Sequence, residues 1–161
     1  METTREVDEF DDDQRDVVAD FVRRLRRGDS MAEIFGVGDE ALEQLEAQMY
    51  RLYRNRRFEQ AKVAGRGILA LDGERGLVHL LLGDIALEEY CFSRAVEHLE
   101  VAYRLEPELP VVRARLGEAL IQFGEIERGR RHLTAVIEDQ GDSEGVDIDR
   151  CRALLGSIDD G

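Results

Sequence analysis

Residues 76–109 of this chain read GLVHLLLGDIALEEYCFSRAVEHLEVAYRLEPEL, two apolar segments separated by a short polar break. Phe58, Phe92 and Ile126 each begin an apolar segment, and their numbers differ by 34. The same interval relates three further sets: Ala61, Ala95 and Gly129; Ile68, Ala102 and Val136; Leu82 and Gly83 to Leu116 and Gly117. Four coincidences in one register indicate an internal repeat.

A period of 34 residues resembles that of the tetratricopeptide repeats, in which each unit is a pair of antiparallel helices. Gly83 and Gly117 fall inside the first helix of their units, where each costs about 1 kcal/mol relative to alanine. We expect close packing of the two helices to offset this cost. A helix breaker is expected at the end of each unit: Gly73, Pro107 and Gly141.

The apolar periodicity predicts an all-α chain. A first helix is expected over 14–27, and the spacing of Ser30 and Glu33 predicts a capping box that starts a short second helix ending near Gly36. Asp39 is expected to cap the next helix. Three helix pairs follow, at 40–55 with 58–71, 75–89 with 92–105, and 109–123 with 126–139.

We therefore expect four parts: an acidic flexible arm at 1–13, N-terminal helices at 14–38, repeats at 39–143 and a C-terminal capping helix with a loose end at 144–161. The repeats, at about 42–75, 76–109 and 110–143, are expected to form a short right-handed solenoid. The last helix presents one apolar stripe that can cover the open end of the third pair: Ile148, Cys151, Leu154, Leu155 and Ile158.

The composition excludes several functional classes. With 36 acidic against 22 basic residues, the net charge of −14 argues against a nucleic-acid partner. No apolar run reaches the roughly 18 residues that span a bilayer, and the start of the chain does not resemble a secretory signal, so a cytoplasmic protein without direct membrane insertion is expected. Cys91 and Cys151 are expected to be buried thiols rather than a disulfide.

The sequence carries no recognisable catalytic motif. His98 and His132 are one period apart, so they are equivalent positions on two helices rather than partners in one site. We expect no enzymatic activity, cofactor or metal. Two alternatives stay open: a site that combines Cys91 with His79 or His98, and an enzyme whose site no motif reveals.

A binding function is better supported, because the first helices of the pairs line the inner face of such a solenoid. The expected lining, called here the concave groove, is Glu43, Glu46, Tyr50, Tyr53, Leu77, Leu80, Asp84, Leu87, Val111, Ala114, Glu118 and Ile121. It contains no Lys, Arg or Asn of the kind that clamps a terminal carboxylate, and it suits an extended peptide with Leu, Val or Pro anchors. Alternatively, several of these leucines pack against neighbouring helices.

The order of parts resembles a known family over roughly residues 14–140. A capped helix, the segment 31–35, the segment 41–45, Tyr50, Tyr53 and the segment 58–61 together resemble the class II chaperones of bacterial type III secretion. The resemblance implies that the concave groove binds an extended, Pro- and Leu-containing segment of a hydrophobic translocator protein, with Tyr50 and Tyr53 helping to line it. Glu46 departs from the family, which often has an aromatic residue there.

The same resemblance implies a bacterial chaperone that keeps its translocator soluble before export and needs no ATP. It also implies a homodimer through the N-terminal helices, with contacts at Val18, Phe21, Val22 and Leu25. The alternative for this stripe is packing on the first repeat. The alternative function is a general tetratricopeptide scaffold in another bacterial assembly.

Overall fold

The structure, a computed structural model, describes residues 12–139 and 146–159, and every element within these ranges is an α-helix. The helices are α1 (Asp12–Arg27), α2 (Met31–Phe35), α3 (Asp39–Arg54), α4 (Phe58–Leu71), α5 (Gly76–Glu88), α6 (Phe92–Leu105), α7 (Pro110–Phe123), α8 (Ile126–Glu138) and α9 (Ile148–Asp159). The predicted all-α fold of three helix pairs with flanking helices at both ends is confirmed. The predicted breaker Gly141 and nearly all of the acidic arm lie outside the described residues.

The pairs are α3 with α4, α5 with α6, and α7 with α8. Successive pairs are joined by contacts of α4 with α5 and of α6 with α7. The first helices also meet one another, since α3 contacts α5, α5 contacts α7 and α7 contacts α9. They therefore form one continuous face of the stack, which is the face that the sequence predicts as the groove.

Three apolar clusters follow one another along the stack, centred on Leu42 and Met49, on Leu99 and Leu116, and on Leu133. Helices α5 and α7 each pack between neighbouring helices on both sides. Their own apolar residues are therefore spread around the whole helix instead of forming one stripe.

Gly83 and Gly117 lie where the helices of their pairs approach each other closely. A Cβ atom on Gly83 would lie 2.5 Å from Leu99 Cγ, and one on Gly117 would lie 2.7 Å from Leu133 Cδ2. The close packing expected at these two glycines is confirmed. In the first pair the roles are exchanged, because Met49 occupies the equivalent position on α3 and Gly65 on α4 provides the space for it.

The N-terminal elements follow the predicted caps with one correction. Both hydrogen bonds of the Ser30–Glu33 capping box are present, and α2 ends at Gly36 with φ of 68°. The prediction that Asp39 caps α3 is wrong, because the cap is Gly38 and Asp39 is the first helical residue. The Asp39 carboxylate instead lies 3.4 Å from the Arg75 guanidinium, at the start of the second pair.

Helix α9 closes the far end of the stack, as predicted. It packs on α8 and α7, and Cys151 is buried in the third cluster with Ala114, Leu133 and Val136. Cys151 follows Gly117 by one period of 34 residues, so α9 continues the register of the first helices.

Candidate binding groove

The twelve predicted lining residues belong to helices α3, α5 and α7, and their accessibility differs. Glu43, Tyr50 and Leu77 are exposed; Tyr53, Leu80, Leu87, Val111 and Ile121 are half-buried; Glu46, Asp84, Ala114 and Glu118 are buried. Leu80 and Leu87 pack against the second apolar cluster. The alternative that some leucines contact neighbouring helices therefore applies to these two.

Aromatic side chains stand at the start of the groove. The rings of Tyr50 and Tyr53 are stacked with centroids 6.4 Å apart, and Tyr53 also lies 6.2 Å from the ring of Phe58. Tyr50 keeps 42% of its surface exposed. The first repeat thus offers one accessible aromatic surface supported by two less exposed rings.

A first cavity of about 240 Å³ lies where the second pair meets the third. Its lining is Tyr53, Asp84, Leu87, Glu88, Tyr90, Phe92, Arg115, Glu118, Gln122 and Arg150. The structure thus brings four predicted groove residues together with an aromatic pair, Tyr90 and Phe92, that the sequence analysis did not include. These two rings are 6.2 Å apart and perpendicular.

A chain of polar contacts crosses the floor of the first cavity. The Tyr53 hydroxyl donates to Asp84 Oδ2 at 3.2 Å, and Arg115 Nε lies 3.2 Å from Asp84 Oδ1. Arg115 Nη1 donates to Glu118 at 3.1 Å, and Glu118 also accepts from Arg150 on α9. Two acids and two arginines therefore balance each other's charge in this part of the groove.

Burial raises the pKa values of two groups on the floor of the first cavity, Tyr53 and Asp84. It raises the pKa of Tyr53 to about 12, with the negative charge of Asp84 acting in the same direction. Burial also raises the pKa of Asp84, and the opposing attraction of Arg115 only partly offsets it. The shift of Tyr53 favours the protonated hydroxyl, which is the form that donates to Asp84.

A part-buried ion pair lies on the first repeat. Arg75, just before α5, donates to both carboxylate oxygens of Glu46 at 2.8 and 3.2 Å. The negative charge of Glu46 is thus balanced by the positive charge of Arg75 within the fold. The sequence analysis missed the roles of Arg75, Arg115 and Arg150, although acids at inner positions of packed helices generally require such partners.

Helix α9 covers part of the third repeat's share of the groove. A second cavity of about 170 Å³ is lined by Val111 and Ala114 on α7 together with Val146, Cys151 and Leu154. Ala114 is only 8% exposed. Of the predicted lining, the surface most open to a partner is therefore that of the first two repeats.

The N-terminal helices carry a second apolar surface. Phe21 lies 6.4 Å from Phe35, while Val22 and Leu25 remain 38% and 43% exposed. The side chain of Val18 lies outside the described residues. Among the described helices α1 lies close to α2 alone.

The three histidines are not brought together in one group. His98 contacts His79, with their Nδ1 atoms 3.1 Å apart, whereas His132 packs against Tyr103. Both cysteines are free thiols. The described part of the chain contains no group of three or more His, Cys, Asp or Glu that could hold a metal ion. Its helices include none that is long and apolar enough to cross a membrane.

Comparison with known proteins agrees with this architecture. A model of the tetratricopeptide repeat family matches residues 86–158, from the end of α5 through α9. No curated protein sequence gives a match. The likeness to known proteins is therefore one of repeat pattern and fold.

Solved structures of type III secretion proteins share the fold. A type III secretion complex from Aeromonas hydrophila superposes with a TM-score of 0.74 at 19% identity, over 88% of this chain and 95% of that chain. The Yersinia enterocolitica type III secretion chaperone SycD, in complex with a peptide of the translocator YopD, gives 0.66 at 19% identity, over 76% and 95%. Pseudomonas aeruginosa PcrH, in complex with the chaperone binding region of PopD, gives 0.66 at 19% identity, over 76% and 94%. The chain thus has the fold of the type III translocator chaperones.

Proposed function

We propose that this protein is a bacterial secretion chaperone that binds an extended segment of a hydrophobic translocator in its concave groove. The observation that carries the proposal is the shared fold with two chaperones whose structures contain translocator segments. The accessible surface of the groove supports it, because Tyr50 and Leu77 expose apolar area on the first two repeats.

Binding to such a surface follows from simple physical chemistry. An extended segment presents side chains to successive cavities, and it loses little conformational freedom when it docks. The gain from apolar contact must exceed the ordering cost of the captured segment, yet remain small enough for release before export. We propose that the protein acts in the cytoplasm by this reversible binding, without a cofactor and without catalysis.

The parts of the chain would then have separate tasks. Residues 39–143 would form the binding body, and residues 144–161 would close its far end. Residues 14–38 would provide the contact of a homodimer, through the exposed side chains of Val22 and Leu25 with Phe21 beside them. Val18 belongs to the same predicted contact.

Co-expression tests the proposal. The chain is produced together with a protein that has long apolar helices and is encoded beside its gene, and the soluble fraction of that protein is measured. We expect the partner to become soluble only in the presence of the chain. If no such neighbour is solubilised, a general scaffold in another assembly becomes the better explanation.

Paired variants then locate the surface. Tyr50→Ala removes an exposed anchor from α3, and we expect it to weaken the complex about tenfold, as is typical of aromatic anchors at interfaces. Val63→Ala is the control, because Val63 is 61% exposed on α4, the second helix of the same pair. Equal effects of the two substitutions would count against the groove.

A further inference from the structure

A cleft of about 580 Å³ opens between α4 and α6, the second helices of the first two pairs. Residues of α4 and α6 form its walls, and residues of α5 form its floor. Its lining, called here the outer cleft, is Lys62, Arg66, Leu69, Ala70, Leu82, Ala86, Glu89, Arg94 and His98. These residues and the predicted lining of the concave groove are two separate sets, so the outer cleft is a second surface of the stack.

The next interface along the stack has the same register but a different set of charges. Glu100 and Arg128 lie one period of 34 residues after Arg66 and Arg94, and they form an ion pair at 2.6 Å between α6 and α8. The outer cleft therefore has arginine at both positions where the next interface pairs a glutamate with an arginine. Because like charges repel each other, these two side chains do not close the outer cleft.

The outer cleft also has a smaller apolar side chain than the next interface. Tyr103, one period after Leu69, lies edge-on against the ring of His132 with the centroids 5.1 Å apart. The equivalent histidine of the outer cleft, His98, instead contacts His79, with their Nδ1 atoms 3.1 Å apart. Because leucine is smaller than tyrosine, the apolar part of the outer cleft stays open.

The positive charge of the outer cleft is only partly balanced. Lys62 pairs at 2.7 Å with Glu89, the one acid of the lining, and at 2.6 Å with Glu59. Within the described part of the chain, neither Arg66 nor Arg94 lies in an ion pair. Two guanidinium groups thus lack an acid beside an apolar surface. The net charge of −14 repels an acidic partner from the chain as a whole, whereas this cleft attracts one.

We propose that the outer cleft binds an acidic segment of a second protein, with one carboxylate of that segment between Arg66 and Arg94. The partner's carboxylate takes the place that Glu100 has in the next interface. Guanidinium groups suit this role, because they bind carboxylates through two parallel hydrogen bonds. This binding goes beyond the proposed chaperone function, since it uses a surface other than the concave groove.

The apolar part of the outer cleft favours a protein segment over a free anion. An apolar side chain next to the partner's acid packs on Leu69 and Leu82, and the removal of this surface from water adds to the affinity. An inorganic anion would leave the same surface uncovered. The cleft volume lies within the range of about 300–1,000 Å³ that is typical of ligand sites.

Two matched dipeptides test the charge and the apolar group without the natural partner. N-acetyl-leucyl-glutamate α-N-methylamide carries both groups, and N-acetyl-leucyl-glutamine α-N-methylamide has the same shape without the charge. Each is titrated into the isotope-labelled chain and followed by NMR. We expect the glutamate probe to shift amides of the outer cleft and to bind about fivefold more tightly than the glutamine probe. Equal affinities, or a titration that leaves the outer cleft unshifted, would overturn the assignment.

Charge variants separate binding from folding. Arg66→Glu reproduces the glutamate–arginine pair of the next interface, so we expect it to weaken binding of the glutamate probe about tenfold, with an equal or higher unfolding midpoint. Arg94→Gln removes one guanidinium group and should weaken binding about threefold to fivefold. Arg131→Glu is the matched control, because Arg131 is exposed on α8, outside the lining, and the net charge changes equally. An Arg66→Glu chain that binds as well as the Arg131→Glu chain would refute the site.

Two competition experiments identify the occupant. The complex with the co-expressed translocator should bind the glutamate probe as the free chain does. Displacement of the probe would make the outer cleft part of the guest site and overturn the separate partner. A chain that begins at Asp12 should also bind the probe with unchanged affinity. Tighter binding would show that the chain's own acidic residues before Asp12 compete for the cleft, which would overturn the separate partner as well.

These results are independent of the co-expression experiment. A chain that solubilises the translocator but does not bind the glutamate probe would lose only this assignment. A chain that solubilises nothing would lose the chaperone function, whatever the probe does.

Discussion

Of the glycines in the described part of the chain, Gly129 should be the least able to accept a side chain. A Cβ atom there would lie 2.6 Å from the carbonyl oxygen of Gly117 and 3.0 Å from the backbone nitrogen of Ile121. Ordinary contact begins at 3.4 Å, so α7 and α8 would have to separate by about 0.8 Å. Backbone atoms form this wall, and no rotamer change can relieve the clash.

The net effect of Gly129→Ala follows from two opposing terms. Overpacking costs about 1–3 kcal/mol, and a backbone wall places this site near the upper end. Replacing a helical glycine by alanine recovers about 1 kcal/mol. We therefore expect a loss of about 2 kcal/mol, which lowers the unfolding midpoint by about 4–8 °C in a chain of this size.

Gly67→Ala is the matched control. Gly67 is exposed within α4, and a Cβ atom there meets nothing within 4 Å. This substitution should stabilise the protein by about 0.5–1 kcal/mol. Urea unfolding followed by circular dichroism measures both variants. A Gly129→Ala protein as stable as the native chain would refute the argument from close helix packing, as would equal losses at both sites.

Two further predictions concern acid stability and self-association. Burial lowers the pKa of His79 and His98, so as the pH falls the unfolded chain binds protons at a higher pH than the folded chain does. The free energy of unfolding should therefore keep its full value above about pH 6.5 and decrease below it. Urea unfolding at about pH 7.5 and 5.5 measures this dependence, and His98→Asn should make it weaker. An unchanged pH dependence would contradict this role. Light scattering should show a folded monomer for the double variant Phe21→Glu and Leu25→Glu where the native chain is a dimer. A dimer that persists would exclude the α1 surface.

Much of the fold could be predicted from the sequence because each structural position occurs in three repeats, so that one pattern is observed three times. The interval between Phe58, Phe92 and Ile126 correctly predicted where the second helix of each pair begins. Gly83 and Gly117 likewise indicated close packing of the paired helices, because a glycine inside a helix needs such packing to offset its cost. The error at Asp39 was one residue in size, because Gly38 takes the cap position and α3 begins at Asp39.

The groove could be predicted only in part, since side-chain partners depend on contacts between repeats. The list of inner positions contained acids such as Asp84 and Glu118 but not the arginines that neutralise them. It also placed Ala114 in an open groove, whereas α9 covers it. The left-handed backbone of Tyr90, with φ of 58°, had a signal in the register, because its equivalent in the next repeat is Gly124.

Hydrogen exchange on the complex with the co-expressed translocator tests the central claim most directly. Binding in the concave groove predicts new protection on α3 and α5, the first helices of the first two pairs, with little change on α4 and α6. Protection confined to α4, α6 and α8, or no difference between the free and bound chain, would contradict it.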